Sequence, residues 1–375
     1  MKIPYFRPWI TNEDKKEVKK VLDQRWLTNG PILKKFEAEF SQFQKTKFSL
    51  GVSSATHGLH LCLKAIGIKP GDEVIVPTMT FAATADVVTY CGAKPVLVDI
   101  DEDTLNISTS AILDKINKKT KAIIPVHYGG QSCDMDKIQS IANKFKLKIV
   151  EDCAHALGST YNGKKCGSIG DISCFSFYPT KIITTGEGGM ITTNLSGLVK
   201  KVNLLRSHGM NHLPTTREKS ALWNYDIVDL GYNYRLDEIR SALGLSQFSR
   251  IKKINESRIK IAQKYDKGLK DIDGLEIPIK KSNRNHIFHL YTIKILKKFP
   301  ISRNELFVKL NKLGIGTSVQ YPPLHLMTYN KRKYNKKDFP VANKIKDEII
   351  SLPIFPTMRN VDIDYVILNL KKISS

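Results

Sequence analysis

The chain has 375 residues and carries 59 Lys and Arg against 36 Asp and Glu, so its formal net charge is +23 at pH 7. Hydrophobic residues make up 41% of the sequence and charged residues 25%. This composition excludes an intrinsically disordered chain, because such chains lack the apolar residues that build a core. The length predicts two or three domains of about 100 to 200 residues each, and one large domain with one small domain fits best.

The beginning of the chain contains no apolar stretch of the kind found in secretory signals, because Pro4, Arg7 and Pro8 interrupt residues 1–14. No run of about 18 apolar residues occurs anywhere, so we expect no membrane-spanning helix. The 6 cysteines are scattered without a C-x-x-C pair. They therefore predict free thiols and a cytoplasmic protein.

From Gly51 to Gln247, short apolar runs bounded by Gly, Pro and Asp alternate with amphipathic stretches. Such alternation predicts an α/β fold with a largely parallel sheet. The predicted strands are Glu73–Pro77, Pro95–Asp99, Ala122–Val126, Lys148–Asp152 and Ser173–Phe177. The predicted helices are Thr56–Ala65, Thr80–Cys91, Asp134–Phe145 and Asp237–Gln247.

Beyond Arg250 the pattern changes to long charged helices with few strands. It predicts a helix over Ile251–Asp271, a strand over Phe288–Ile295, a helix over Ser302–Leu313 and a terminal helix from Val361. We therefore predict a large α/β domain over residues 1–250, which begins with an N-terminal arm over residues 1–14. A smaller α+β domain is predicted over residues 251–375.

The positive charge raises the possibility of nucleic-acid binding. It comes mostly from lysines spread through the chain in pairs such as Lys15-Lys16, Lys252-Lys253 and Lys336-Lys337. No helix-turn-helix spacing, aromatic RNA-binding strand or zinc-ligand set accompanies them. A solvated lysine-rich surface is therefore the favoured interpretation, and it could attract a small anion such as a nucleotide diphosphate.

The first chemical motif is the sequence GVSSATHGLH at residues 51–60, in which small and hydroxyl residues lead into an apolar helical pattern. Small residues let backbone amides approach an anion, and the following helix N-terminus adds partial positive charge. The segment therefore suits a phosphate. Ser and Thr are also common as plain helix caps, and this motif alone favours that simpler interpretation.

The second motif is KIVEDCAHALGS at residues 148–159, where an apolar run delivers Asp152 and then His155. Ligands in parallel α/β sheets bind outside the carboxyl ends of the strands, so Asp152 stands where a cofactor-binding acid would be placed. A helix-capping aspartate explains the motif about equally well. By itself, His155 is better explained as a buried, hydrogen-bonded histidine than as an acid or base.

The third motif, at residues 174–194, places Lys181 in a loop rich in Ser, Thr and Gly between two apolar strands. Apolar surroundings lower the pKa of a lysine by desolvation, which favours the nucleophilic amine that a Schiff base requires. An ordinary loop lysine would be the default explanation of this motif alone. The three motifs together match the needs of pyridoxal phosphate: a phosphate anchor, a partner for the pyridinium nitrogen and a lysine.

With these motifs in place, the chain resembles the DegT/DnrJ/StrS-type sugar-nucleotide aminotransferases nearly end to end. These are fold type I pyridoxal-phosphate enzymes, so the resemblance implies a large domain with a mostly parallel seven-stranded sheet. The stretches that carry it are WLTNGP (26–31), SSAT (53–56), GDEVIVP (71–77) with Thr80-Phe81, EDCAHALG (151–158), FSFYPTK (175–181), GEGG (186–189), RSHG (206–209), GYNYRL (231–236) and SLP (351–353).

The resemblance also implies roles for individual residues. Lys181 would form the Schiff base with pyridoxal 5'-phosphate and then carry the transferred proton, and Asp152 would pair with the pyridinium nitrogen. The remaining cofactor-binding residues would be Ala55, Thr56 and Ser176 at the phosphate, Phe81 stacked on the ring, His155 beside its 3-hydroxyl edge, and Asn233 from the second subunit of a homodimer. The residues implied at the substrate are Thr28, Arg235, Tyr321 and His325. No metal is implied.

The function implied is transamination of a nucleotide-linked 4-keto-6-deoxy sugar, with L-glutamate as amino donor, for surface glycan biosynthesis. The finer match, at residues 206–210 and 236–247, is to enzymes that aminate C4 of UDP-linked sugars of the pseudaminic acid type. We expect a cytoplasmic homodimer that shares its active sites and binds neither nucleic acid nor membrane.

Several alternatives stay open at this point. The same scaffold serves 3-keto-sugar nucleotide aminotransferases. Related sugar dehydratases carry His in place of the Schiff-base lysine, and position 181 is Lys. A DNA-binding regulator has no supporting motif, and an inactive scaffold would not need the intact set of Lys181, Asp152 and Ser176.

Overall fold

The computed structural model describes residues 1–211 and 225–375. Its α-helices are α1 Asn12–Gln24, α2 Pro31–Gln44, α3 Ala55–Ala65, α4 Ala82–Tyr90, α5 Thr109–Lys115, α6 Met135–Phe145, α7 Ser196–Leu205, α8 Glu238–Phe248, α9 Ile251–Leu269, α10 Arg303–Lys312, α11 Pro340–Ile345 and α12 Asn360–Ser374. Its strands are β1 Phe48–Val52, β2 Glu73–Pro77, β3 Lys94–Val98, β4 Thr120–Ile123, β5 Lys148–Asp152, β6 Thr160–Tyr161, β7 Lys164–Lys165, β8 Ile172–Ser176, β9 Gly189–Thr193, β10 Leu275–Glu276, β11 Arg284–Asn285, β12 Tyr291–Ile295 and β13 Ile349–Leu352.

A seven-stranded sheet in the order β1-β9-β8-β5-β4-β2-β3 forms the centre of the fold. Strands β3, β2, β4, β5 and β8 run parallel, whereas β9 is antiparallel to both of its neighbours, β8 and β1. The parallel strands β2, β4 and β5 are buried almost throughout, as expected of strands covered on both faces. The predicted α/β fold with a mostly parallel sheet is confirmed.

The strands predicted over Pro95–Asp99 and Ser173–Phe177 are observed one residue earlier, at Lys94–Val98 and Ile172–Ser176. Two others differ more, for local reasons. The strand predicted over Ala122–Val126 is observed at Thr120–Ile123, because Pro125 lacks the N–H group that would continue the ladder. The strand predicted from Phe288 begins at Tyr291, because Phe288 has a φ of 52°, a left-handed conformation that no strand contains.

The N-terminal arm is extended for a shorter distance than the predicted 14 residues, since α1 begins at Asn12. Thr11 and Asp14 cap this helix reciprocally: each side chain accepts a hydrogen bond from the backbone N–H of the other. Before the helix, Ile3 pairs with Ile315 in a parallel bridge. The arm therefore connects the first residues of the chain to its C-terminal part.

A second apolar core lies around the three-stranded sheet β10-β12-β13. Helix α9 presents one apolar face to it, because Ile261, Tyr265 and Leu269 recur at helical spacing and are all buried. Tyr291 of β12 packs against Tyr265, with ring centroids 4.9 Å apart. Within the described residues, no helix is both long and apolar enough to cross a membrane.

Candidate active site

One cavity of about 440 Å³ brings together most of the site residues predicted from the sequence. We call it the central pocket. Its wall includes Ala55, Thr56, Phe81, Asp152, His155, Ser176, Lys181 and Tyr321. The pocket lies where β5 ends at Asp152 and β8 ends at Ser176, which is the carboxyl edge where parallel α/β sheets bind ligands.

Lys181 follows β8 in the loop that leads to β9 and lines the central pocket. Its amine forms no hydrogen bond or ion pair with any residue in the ranges 1–211 and 225–375. Burial lowers the pKa of the Lys181 amine to about 8, and the negative charge of Asp152 opposes the shift. At pH 7 roughly a tenth of the amine is therefore uncharged, far more than for an ordinary lysine, and the uncharged form is the nucleophile.

Asp152 is the buried carboxylate of the pocket. One oxygen accepts a hydrogen bond from the Thr84 hydroxyl at 2.9 Å, and the other accepts from the Ala154 amide at 3.1 Å. Desolvation raises its pKa, while these hydrogen bonds and the charge of Lys181 oppose the increase. A cationic partner such as a protonated pyridine nitrogen would favour its ionised form.

The N-terminus of α3 provides an anion cradle at the same pocket. Ser54 caps the helix through its side chain, and the next residues, Ala55 and Thr56, are on the pocket wall. The first amides of a helix have no partner inside it and carry partial positive charge. Gly189 of β9 lets this turn approach, because a Cβ there would lie 3.0 Å from the Ala55 nitrogen and 2.8 Å from the Phe175 oxygen.

His155 and Tyr321 form an ordered hydrogen-bonded pair. The Gly129 amide donates to Nδ1 of His155, and burial lowers the pKa of this ring well below its usual range. The neutral ring therefore carries its hydrogen on Nε2 and donates it to the Tyr321 hydroxyl, 3.0 Å away. Tyr321 consequently keeps its own hydrogen available for a ligand in the pocket.

Gln320, the residue before Tyr321, fixes this part of the pocket wall through two hydrogen bonds. The Gln320 carbonyl accepts a hydrogen bond from the Tyr128 hydroxyl, and its side-chain oxygen accepts one from Tyr5 of the N-terminal arm. The arm therefore supports the pocket wall from a distance of more than 300 residues in sequence.

Four predicted residues do not line the central pocket. Thr28 and Asn233 are exposed, and Arg235 pairs through its backbone with Val52 at the end of β1. His325 is buried, and its ring nitrogens lie 2.7 Å from the Thr78 hydroxyl and 3.1 Å from the Asn343 side-chain oxygen. The structure thus gives His325 a packing environment, and the substrate roles of these residues stay predictions.

Thr84 and Gln320 are among the pocket residues that the sequence analysis did not assign. Thr84 bonds to Asp152 and also contacts Thr80 hydroxyl to hydroxyl at 2.8 Å, a pair one helical turn apart. The spacing of these two threonines was the available signal. Gln320 had none, because nothing in its local sequence distinguishes it from a surface glutamine.

A buried cluster of His127, Glu151 and Cys153 has the composition of a metal site but lies outside the central pocket. The two Glu151 oxygens accept four hydrogen bonds, from Nε2 of His127 and from the amides of Gly167, Ile169 and Gly170. Because these bonds use the acceptor positions of the carboxylate, the cluster holds residues 167–170 against the end of β5.

Comparison with known proteins agrees with this geometry. The model of the DegT/DnrJ/EryC1/StrS aminotransferase family matches residues 8–371. The chain belongs to this family. It is 40% identical over 370 residues to the spore coat polysaccharide biosynthesis protein SpsC of Bacillus subtilis, covering 97% of this chain and 95% of that protein.

Two solved structures share the fold over the whole chain. The PLP-form of the putative sugar aminotransferase Spr1654 from Streptococcus pneumoniae is 33% identical, with a TM-score of 0.93 over 100% of this chain and 99% of its own. Helicobacter pylori PseC, described as an aminotransferase involved in the biosynthesis of pseudoaminic acid, is 32% identical, with the same TM-score and coverage. The predicted enzyme class, a pyridoxal-phosphate-dependent aminotransferase, is confirmed.

The central pocket fits this cofactor. It offers an unpaired amine for the aldehyde, a buried carboxylate for the ring nitrogen and a helix N-terminus for the phosphate. These three groups line one cavity of about 440 Å³, which falls within the usual volume of cofactor sites, about 300 to 1,000 Å³.

Proposed function

We propose that this chain transfers the amino group of L-glutamate to the ketone of a nucleotide-linked 4-keto-6-deoxy sugar. The product would be a 4-amino sugar nucleotide for surface glycan biosynthesis. The observation that carries the proposal is the unpaired Lys181 amine in one pocket with Asp152 and the α3 N-terminus. The roles of the related proteins SpsC and PseC support a sugar acceptor and a role in glycan synthesis.

Each pocket residue has a defined part in this proposal. Ala55, Thr56 and Ser176 bind the phosphate, and Asp152 holds the ring nitrogen in its protonated form. Bound pyridoxal phosphate supplies an electron sink that stabilises negative charge on the substrate carbon. Lys181 would hold the cofactor and move the proton at the reacting carbon, because its lowered pKa allows both gain and loss of a proton near neutral pH.

Phe81 and Tyr321 orient the cofactor and the acceptor in this proposal, while His155 supports Tyr321 and lies beside the 3-hydroxyl edge of the ring. Phe81 is 61% exposed and stands at the mouth of the pocket, where it can stack on the ring. Tyr321 donates a hydrogen bond to an oxygen of the bound ligand, since its own oxygen already accepts from His155. A nucleotide would extend through this open mouth, and its negative charges would be attracted by the net charge of +23.

The site is completed by a second copy of the chain in this proposal. Asn233 is exposed, and so are three apolar side chains just before it in the chain: Ile227, Val228 and Leu230 are 60%, 55% and 74% exposed. An exposed apolar surface on a folded chain often marks an interface with another protein. We propose that this surface is buried in a homodimer and that Asn233 reaches the partner's phosphate site.

The enzyme is further proposed to act in the cytoplasm and to divide into domains over residues 1–250 and 251–375. The cysteines, which are all free and buried, support a reducing compartment. The separate apolar core around β10, β12 and β13 supports the division.

A panel of acceptors tests the substrate. UDP- and dTDP-linked 4-keto and 3-keto sugars, free keto sugars, pyruvate and oxaloacetate are compared as amine acceptors with glutamate as donor. We expect the highest kcat/KM with a 4-keto sugar nucleotide. Comparable efficiency with pyruvate or oxaloacetate would instead indicate a general amino-acid transaminase.

Mixed dimers test the shared site. An inactive Lys181→Ala chain and an inactive Asn233→Ala chain are mixed under conditions in which subunit exchange is demonstrated. Some activity should return, because heterodimers contain one intact site. If exchange occurs and no activity returns, Asn233 does not complete the partner's site.

A further inference from the structure

A second cavity, of about 340 Å³, lies on the other face of α4 from the central pocket. Ala83 and Thr84 line the central pocket, whereas Ala85, Asp86 and Thr89 line this one. We call it the outer cavity. Its other walls are the edge strand β3 and the loop that carries Tyr329, Lys333 and Tyr334. The proposed function assigns nothing to it.

A run of positive charge borders the outer cavity. Residues 331–337, the sequence KRKYNKK, form what we call the basic segment. Its five cations, Lys331, Arg332, Lys333, Lys336 and Lys337, are all exposed. None forms an ion pair with an acidic residue in the described part of the chain, and the adjacent Asp338 is bonded to Lys115 instead. The segment is therefore uncompensated positive charge beside a cavity.

The cavity itself contains a carboxylate without a partner. Asp86 is half-buried on α4 and makes no hydrogen bond or ion pair with any residue that the structure describes. Burial raises its pKa, and Lys333 is the nearby cation that opposes the increase. A solvated lysine-rich surface accounts for the basic segment, but it does not account for an unpaired acid inside the cavity that this segment borders.

The walls offer an aromatic face as well. Tyr329 is 65% exposed, and Nζ of Lys333 lies 3.5 Å from the centre of its ring. Tyr334 donates a hydrogen bond to the Pro95 carbonyl at 2.6 Å, which fixes the loop against β3. Tyr334 thus anchors the loop to the sheet edge, and Tyr329 of the same loop presents a ring on which a flat group can stack.

We propose that the outer cavity and the basic segment together bind a nucleoside diphosphate, with its phosphates on the basic segment and its base or ribose in the cavity. Phosphate oxygens suit Lys and Arg, whereas the Asp86 carboxylate would repel them. Asp86 instead accepts hydrogen bonds from ribose hydroxyls or base N–H groups. Stacking on Tyr329 is tolerant of base identity, because every base has a π-face.

Two sources share this chemistry. In the first case, the nucleotide is the nucleotide moiety of the sugar acceptor, and the inference then rests on the proposed function. In the second case, it is a separate nucleotide that acts on the enzyme. A separate ligand would have a physical connection to the active site, because α4 also carries Thr84, which bonds to Asp152. The loop likewise connects Tyr321 of the central pocket to Tyr329.

The test is calorimetric titration of the holoenzyme with UDP, dTDP, GDP and ADP, and with inorganic tripolyphosphate. The variants are Asp86→Asn and Lys333→Gln, and Lys372→Gln is the matched control, because Lys372 is an exposed lysine on α12 without an ion pair. We expect each test variant to weaken binding of at least one nucleotide by about fivefold or more, and the control to leave it unchanged.

The outcomes separate the possibilities. Binding of one nucleotide per chain at saturating acceptor would support a separate nucleotide. Competition with the acceptor, together with a raised KM for it in both test variants, would support the acceptor's own nucleotide. The proposal is overturned if no nucleotide binds, if the three variants behave alike, or if tripolyphosphate binds as tightly as the nucleotides. Thermal unfolding of each variant checks that it is folded. Because the titration measures nucleotide binding and not turnover, its result can be interpreted even if the sugar assay fails.

Discussion

Replacement of Gly189 by alanine perturbs the contact between β9 and the start of α3. A Cβ at this position would lie 2.8 Å from the Phe175 oxygen, 3.0 Å from the Ala55 nitrogen and 3.0 Å from the Ser54 carbonyl carbon. All three are backbone atoms, which cannot rotate away as a side chain would. The strand or the helix must therefore move, and the helix N-terminus is the proposed phosphate site.

The magnitude follows from these distances. Overpacking of this kind typically costs about 1 to 3 kcal/mol. If half of that free energy is lost from the binding of the cofactor phosphate, the affinity for pyridoxal phosphate drops by about two- to tenfold. Gly197→Ala is the matched control, because its Cβ would meet no atom within 4 Å and it lies in α7. There alanine is neutral or stabilising by up to about 1 kcal/mol.

The assay is titration of cofactor-free protein with pyridoxal phosphate, followed by the visible absorption of the bound cofactor, with urea unfolding of the same proteins. Gly189→Ala should bind the cofactor more weakly and unfold at lower urea concentration, whereas Gly197→Ala should match the wild type in binding. Equal affinity in both variants would refute the account of the cradle.

Three further predictions concern single groups. The rate at which cofactor-free protein combines with pyridoxal phosphate should rise with pH through about 8 and then level off, because only the uncharged Lys181 amine reacts. Asp152→Asn should move the midpoint lower, because it removes the negative charge that holds the pKa of Lys181 up. A wild-type midpoint near 10 would contradict the lowered pKa of Lys181. Tyr321→Phe should slow both half-reactions by about tenfold or more while the resting absorption band stays unchanged, and a shifted resting band would show that the hydroxyl contacts the cofactor instead. Glu151→Gln should lower the free energy of unfolding by about 3 kcal/mol in urea titrations, because the single oxygen of an amide cannot accept all four bonds now made to the carboxylate. Stability within 0.5 kcal/mol of wild type, roughly a surface substitution's effect, would refute the role of this cluster.

The sequence predicted the parts of the site that depend on local order along the chain. An apolar run that ends in Asp152 is a buried strand with an acid at its carboxyl end, and both features can be recognised within ten residues. The same is true of the small residues that begin α3 and of the loop that holds Lys181. Strand ends shifted by more than one residue only where Pro125 or the left-handed Phe288 interrupted the apolar pattern.

What the sequence could not predict are contacts between distant segments. The support of Tyr321 depends on Tyr5, more than 300 residues away, and the burial of His325 depends on Thr78 and Asn343. Local periodicity carries no information on such pairs. The substrate role of His325, which the resemblance implies, therefore stays a prediction beside these hydrogen bonds.

The attachment of the cofactor to Lys181 is the central claim, and reduction with borohydride tests it most directly. Borohydride makes the bond between the lysine amine and the cofactor permanent, and peptide mass spectrometry then locates the added mass. We predict that the label lies on the peptide that contains Lys181 and is lost in Lys181→Ala. A stoichiometric label on any other lysine, or an undiminished label in the alanine variant, would contradict the assignment of the active site.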